Sequence, residues 1–300
     1  MEKGQRAFVG RCCLDSDVNP DYYRDESPEK AIQDTRASIE HIRKIDPDYT
    51  LITPIITPRY APSCTSQLMK RLGELSDQED LPTQTHISEN KSEIELVKKL
   101  FPDSEHYAGV YDDHGLLTPR TILAHAVHLT AEERQLIKKR EAKISHCPIS
   151  NTAISSGLCP VRQLLVDGIT VGLGTDVSGG YSPSILAAAR HASLVSRTIA
   201  MDGDDKAKLS VEEVLYLATR GGAKVVGLAD AIGGFEVGMQ WDAQLVQLDM
   251  VDQDGAPSHD GPVDIFGWET WESRVAKWVF GGDDRNTRQV WVQGKLVHKR

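Results

Sequence analysis

The chain has 300 residues, 40% hydrophobic and 26% charged, and a formal net charge of −10. That length permits one α/β barrel or two smaller domains. The acidic balance argues against a broad nucleic-acid or anionic-membrane surface, which would set Lys and Arg against phosphates. No apolar run approaches the roughly 20 residues of a membrane span, and a small neutral substrate remains compatible with the charge.

The segment Met1 to Gly10 has no apolar leader core, and a predicted strand, Ala7 to Leu14, begins almost at once. This abrupt start on a core-type strand suggests that Met1 is not the natural beginning. Ser27-Pro28 opens a helix carrying Ile32, Ile39, Ile42 and Ile45 near helical spacing, and Pro47 closes it. Further strands are expected at Leu51 to Thr57, Thr83 to Ile87, Thr121 to His125, Lys143 to Cys147 and Thr170 to Thr175. Thr130-Ala-Glu-Glu133 and Ser210-Val-Glu-Glu213 have the capping-box form and should each start a helix. Helices from about Pro183 to Thr198 and from Val211 to Ala218 follow.

From Gly233 the texture changes. Phe235 to Leu248 is turn-rich and then strand-like, Asp249 to Gly261 reads as an exposed loop, and Val290 to Val297 reads as a closing hairpin. The expectation is an α/β barrel body over residues 1–232, followed over 233–300 by the end of the barrel and a small β subdomain. Alternating strands and helices indicate parallel βα units. Six such units do not close an eight-stranded (β/α)8 barrel of the TIM type, so the fold class expected is an incomplete one holding strands 3 to 8. The five cysteines, Cys12, Cys13, Cys64, Cys147 and Cys159, form no CxxC pair. That suits a reducing compartment, and a cytoplasmic location is expected.

In α/β barrels the reacting groups lie at the C-terminal ends of the strands, and this chain places polar residues there repeatedly. Arg59 and Tyr60 follow the second strand, His86 lies near the end of the third with Glu89 just after it, His125 ends the fourth, His146 lies near the end of the fifth, and Asp176 follows the sixth. Imidazole plus carboxylate is a ligand set that catalytic zinc favours. Each residue also has an ordinary reading. His86 could bond the backbone, Asp176 could cap a turn, Glu89 could face a helix dipole, and Arg59 with Tyr60 could be a solvated charge beside a packing aromatic. His125 could be core or metal-adjacent. His146 and Asn151 could mainly build a turn, and the remaining histidines, 41, 106, 114, 128, 191, 259 and 298, read as surface or structural.

The runs Thr85-His-Ile-Ser-Glu-Asn90, His146-Cys-Pro-Ile-Ser-Asn151 and Gly174-Thr-Asp-Val-Ser-Gly-Gly180 look like signature segments of guanine deaminases. So do Gly4-Gln-Arg-Ala-Phe-Val-Gly10, Thr57-Pro-Arg-Tyr60 and Gly281-Gly-Asp-Asp-Arg-Asn286. The chain therefore resembles the zinc-dependent guanine deaminases of the amidohydrolase superfamily, whose members hydrolyse guanine to xanthine and ammonia. In that family a His-x-His pair on the first strand, a His on the fifth and an Asp on the eighth hold the metal. The resemblance makes His86 and Asp176 metal ligands, Glu89 the proton shuttle, His125 a partner of the attacking water, and Arg59 and Tyr60 purine-binding residues. No His-x-His occurs among the ten histidines, which is read as loss of an N-terminal part. The resemblance also implies a homodimer when full length. The competing readings are a deaminase of another heterocycle, or an inactive fragment or partner subunit. Deaminases with H-x-E and P-C-x-x-C signatures are excluded, because neither element is present.

Overall fold

Ser27 caps the first helix: its side chain accepts the Lys30 amide, and Pro28 takes the first helical position, where a missing N–H costs nothing. The computed structural model describes residues 4–251, 254–256 and 261–300. Helix α1, Pro28–Ile45, buries Ala31, Thr35, Ile39 and Ile42 as one stripe. Ile32 packs at the edge of the core, whereas Ile45, expected on the same face, is exposed in the last turn.

Asp46 ends α1 and organises the next strand. Its carboxylate accepts from the amides of Thr50 (3.1 Å), Leu51 (2.8 Å) and Ile52 (2.8 Å) and from the Thr50 hydroxyl (2.9 Å). Burial pushes this carboxyl up, but the bonds from Ile52, Leu51 and Thr50 outweigh burial and bring it from 3.8 to about 2. A depressed carboxyl contributes stability that is fully present above the unfolded value and is lost as pH falls through the folded one. Asp46→Asn should therefore be less stable at neutral pH, by about 1.5–3 kcal/mol for charged hydrogen bonds. Its urea midpoint should also fall less steeply than the wild type between pH 3.8 and about 2. An unchanged acid limb in the variant would show that Asp46 does not carry it.

Parallel pairing then builds the sheet. β1 (Ala7–Val9) pairs with β3 (Ile52–Pro54), and β2 (Cys12–Cys13) with β4 (Thr57–Pro58). Ile56 bridges to Thr83 at the start of β5 (Thr83–Ile87). β6 (Thr121–His125), β7 (Lys143–His146) and β8 (Val171–Leu173) follow in spatial order, all parallel. Among the described residues, β1 has no partner other than β3 and β8 none other than β7. Two expected strands are each broken in two. At Gly10 a side chain would meet Ile55 O at 2.2 Å and Thr57 Oγ1 at 2.1 Å, so the chains kink where they touch, and Pro54 and Pro58 donate no ladder bond. The last parallel strand is also shorter than its expected span of 170–175.

Helices fill the crossovers: α2 (Ser66–Gln78), α3 (Lys91–Leu100), α4 (Tyr107–Asp113), α5 (Ala131–Lys139), α6 (Pro148–Ala153), α7 (Val161–Val166) and α8 (Ile185–Met201). Both capping boxes form, at Thr130/Glu133 and at Ser210/Glu213. α9 (Val211–Tyr216) does not stop where expected. It passes through a π-helical turn, Leu217–Gly221, into α10 (Gly222–Val225). Leu68, Met69, Leu72 and Leu75 of α2 belong to the same main core as Ile87, Leu123, Ile144 and Val171, one from each central strand. Each fully buried leucine there contributes about 1.5–3 kcal/mol.

β9 (Ala243–Val246) joins the antiparallel hairpin β12 (Thr287–Val292) and β13 (Lys295–Lys299) in a three-stranded sheet. Arg6, just before β1, pairs with Asp242 beside it. The expected loop from Asp249 begins instead in a separate two-stranded parallel sheet: β10 (Asp249–Met250) pairs with β11 (Asp264–Ile265), and Asp249 is buried. Residues 252–253 and 257–260 of that reading lie outside the described residues. α11 (Trp271–Gly281) docks on α8, where Arg190 donates to the carbonyls of Val279 (2.9 Å) and Gly282 (2.7 Å). No helix of the described residues is long and apolar enough to cross a membrane.

Candidate metal centre and cleft

The C-terminal end of β5 brings His86 to one mouth of the sheet. Its Nδ1 contacts the main-chain oxygen of Arg59, which places the ring proton on Nδ1 and leaves Nε2 as the free lone pair. Burial pushes the imidazole below its ordinary value, so it is neutral and able to ligate at physiological pH. Tyr111, fully buried, locks this corner. Its hydroxyl donates to His86 O at 2.7 Å and accepts from the Ala61 amide at 2.9 Å, joining the segment after Tyr60 to the end of β5.

His125 reaches the same mouth by leaving its strand geometry. It lies opposite Ile87 in the ladder while His86 lies opposite Ala124, so regular alternation would point His125 and His86 to opposite faces. At φ 72 the backbone enters the left-handed region, uncommon outside glycine, and the ring turns to stack on His86 with centroids 5.3 Å apart. Asp176, after β8, is also left-handed at φ 46. Gly179 gives its carboxylate room, since a Cβ there would come within 2.8 Å of Asp176 Oδ2. His125 Nε2 is 4.0 Å from Asp176 Oδ2. One ligand atom each from His86, His125 and Asp176 lie within 4.8 Å of one another. Two imidazoles and a carboxylate at that spacing fit a divalent cation such as zinc.

Glu89 does not sit on the end of α3, where the dipole reading would put it. Asn90 is the N-cap, and its partner Glu93 forms the capping box. Glu93 also accepts the Glu89 amide at 2.9 Å and the Tyr107 hydroxyl at 2.7 Å. The Glu89 carboxylate accepts from Ser156 Oγ at 3.2 Å and lies 3.6 Å from His125 Nδ1. Next to it opens a cleft of about 400 Å³ lined by Arg59, Tyr60, His86, Glu89, Asn90 and Leu96, among others, within the usual range for small-molecule sites. The Arg59 guanidinium lies 5.3 Å from the Tyr60 ring centre, and Tyr60 stands edge-on to His86. Thus all six sequence-assigned site residues meet around one mouth, although Arg59 and Tyr60 line the cleft rather than the cation-sized cluster.

His146 is elsewhere. It is fully buried, burial pushes it down to about 3, and neither ring nitrogen has a hydrogen-bond partner among the described residues. Its motif neighbour Asn151 instead bonds His125, Oδ1 to Nδ1 at 2.9 Å. His106 caps α4, His114 bridges Ser66 and Val110, and His128 bonds Ser156 O. His41 and His298 are exposed and His191 is half-buried, while His259 lies outside the described residues. Sequence reasoning missed Ser156, Tyr111 and Glu93. The Asn90-x-x-Glu93 spacing was a usable capping signal, whereas nothing local marks Tyr111 or Ser156.

A protein of Schizosaccharomyces pombe called a probable guanine deaminase is 54% identical over 98% of the chain, which covers 54% of that relative. The human guanine deaminase is 40% identical over 98% of the chain and 63% of its own length. A crystal structure of guanine deaminase from C. acetobutylicum with bound guanine in the active site superposes with a TM-score of 0.85 at 34% identity, over 98% of this chain and 65% of that one. The chain thus spans between about half and two thirds of these relatives' lengths. The amidohydrolase family model matches residues 1–297, and the chain belongs to that family.

Proposed function

We propose that the chain is the greater part of a guanine deaminase, converting guanine and water to xanthine and ammonia. The observation that carries this reading is the convergence of His86, His125 and Asp176 beside a cleft lined by Arg59, Tyr60 and Glu89. The relatives' names supply the substrate. On this reading the six parallel strand positions belong to a TIM-type (β/α)8 barrel over residues 1–232, and 233–300 adds the end of the barrel and the β subdomain. A cytoplasmic homodimer is part of the same reading.

Zinc held by His86 and Asp176, with His125 as the third donor, would supply a Lewis acid that makes water a nucleophile near neutral pH. Asp176 accepts the proton released by the attacking water. Glu89 relays that proton to ring N3 as C2 becomes tetrahedral, then carries the remaining hydroxyl proton to the departing amine, so that ammonia leaves and the oxygen stays as the C2 carbonyl. Arg59 and Tyr60 hold the polar edge and face of the base. Where the part that the chain does not span adds its own ligands, as in the resembled family, the His125 Nε2 is freed to hold the attacking oxygen.

The sequence holds no His-x-His pair, so the test uses two forms: the chain alone, and the chain joined to the part of a relative that it does not span. Ammonia release from guanine, adenine, cytosine and a triazine is measured with zinc present. The joined form is expected to turn over guanine in preference to the others. Preference for another ring would replace guanine as the substrate, and ordinary turnover by the chain alone would overturn the ligand assignment.

A further inference from the structure

We propose that Asn151 is the positioning residue for His125: its side-chain oxygen holds the proton on Nδ1, so that Nε2 presents a lone pair toward Asp176. The inference rests on the metal-centre reading above and extends it to a residue that touches neither substrate nor metal. Asn151 Oδ1 is 2.9 Å from His125 Nδ1. The Asn amide could in principle be turned round, with nitrogen toward the ring, but the second neighbour of Nδ1 decides against it. That neighbour is Glu89 Oε1 at 3.6 Å, another acceptor. A nitrogen facing an amide oxygen and a carboxylate is best satisfied as N–H. Nε2, on the other side of the ring, faces Asp176 Oδ2 at 4.0 Å, the side on which the three donors converge.

Two further observations assign Asn151 this task rather than a packing one. Its side chain is buried, yet its Nδ2 has no partner among the described residues. A buried amide with an unmet donor costs stability, so an apolar residue would serve packing better. Its backbone is also held firmly. The Asn151 amide bonds Cys147 O at 3.0 Å, and its carbonyl accepts the Ser156 amide at 2.8 Å. Ser156 in turn donates its hydroxyl to Glu89. The short segment 147–156 after β7 therefore aims His125 through Asn151 and steadies Glu89 through Ser156. This gives the His146-Cys-Pro-Ile-Ser-Asn151 run a function that its buried histidine does not have. His86 is held by the same kind of device, with the Arg59 carbonyl in place of the amide oxygen.

The test reads the tautomer directly. The chain is labelled with ¹⁵N-histidine, and long-range ¹H–¹⁵N spectra are recorded at alkaline pH, where the imidazole is neutral, with His125 assigned by its loss in His125→Gln. The wild type should show Nδ1–H. Asn151→Asp, which keeps an acceptor in place, should keep that tautomer. Asn151→Leu should shift His125 toward Nε2–H and weaken cobalt(II) binding by about 10–100-fold, the usual cost of losing a ligand's outer partner. An Nε2–H wild type would overturn the proposal even if Asn151→Leu failed to fold. An unchanged tautomer in a folded Asn151→Leu would also overturn it and leave Glu89 as the positioning group. A tautomer shift in a protein whose wild type binds no cobalt would uphold the positioning role and sink the metal-centre reading instead.

Discussion

His86→Ala should lower the chain's affinity for zinc or cobalt(II) by at least about 10²-fold, more than loss of an outer-sphere partner costs, with little change in its melting temperature. The expectation follows from donor count. Three protein ligands are the minimum of the common catalytic zinc sites, and among the described residues one group of three donors gathers, His86, His125 and Asp176. Sequence alone assigns two ligands, which would leave the site short; the turn at His125 brings a third donor into range. Removing His86 returns the count to two. The fold should tolerate the loss because the ring is only partly buried, and Tyr111 bonds the His86 carbonyl rather than its side chain. Asp176→Asn should weaken binding in parallel. Calorimetry or cobalt absorption decides it: equal affinity in wild type and His86→Ala would mean that the cation, if bound, sits elsewhere.

What was legible in the sequence and what was not divides along a physical line. The central strands β5 and β6 were readable to the residue, because buried alternating runs end sharply at polar residues. Helix starts were read at Ser27, Thr130 and Ser210, where a side chain caps its own backbone, but not at Thr65 or Asn90, which cap α2 and α3 in the same way. The breaks at Gly10 and between Pro54 and Thr57 were not, since they arise where two strands press together, and a single strand's pattern carries no trace of its neighbour. The π-helical turn after α9 has no marker of its own in the helical periodicity. In the site, residues at strand ends could be anticipated because parallel βα architecture sends them to one mouth. Their supports could not. Tyr111 reaches the end of β5 from the middle of α4, and Ser156 reaches Glu89 from 67 residues away. Such contacts depend on how helices settle on the sheet, which local spacing does not encode.

Glu89→Gln separates proton transfer from metal binding. In the joined, zinc-loaded form described above, guanine turnover should fall by at least about 10²-fold, the lower end of what general acid–base catalysis contributes. Metal affinity and stability should stay near wild type. The first expectation rests on what the variant removes. The amide keeps the size of the side chain and can still accept from Ser156 Oγ, but it cannot carry a proton to N3 or to the leaving amine. The second rests on position: Glu89 lies on the Nδ1 side of His125, 3.6 Å away, whereas the cluster forms on the Nε2 side toward Asp176. Guanine KM should change far less than kcat, because charge at N3 and on the amine develops mainly in the transition state, and an interaction made there is lost from turnover rather than from binding. Zinc content and steady-state kinetics measured on one preparation discriminate the outcomes. Zinc lost together with activity would make Glu89 a ligand, a rise in KM at unchanged kcat would make it a binding group, and retained turnover would place the proton shuttle on another residue.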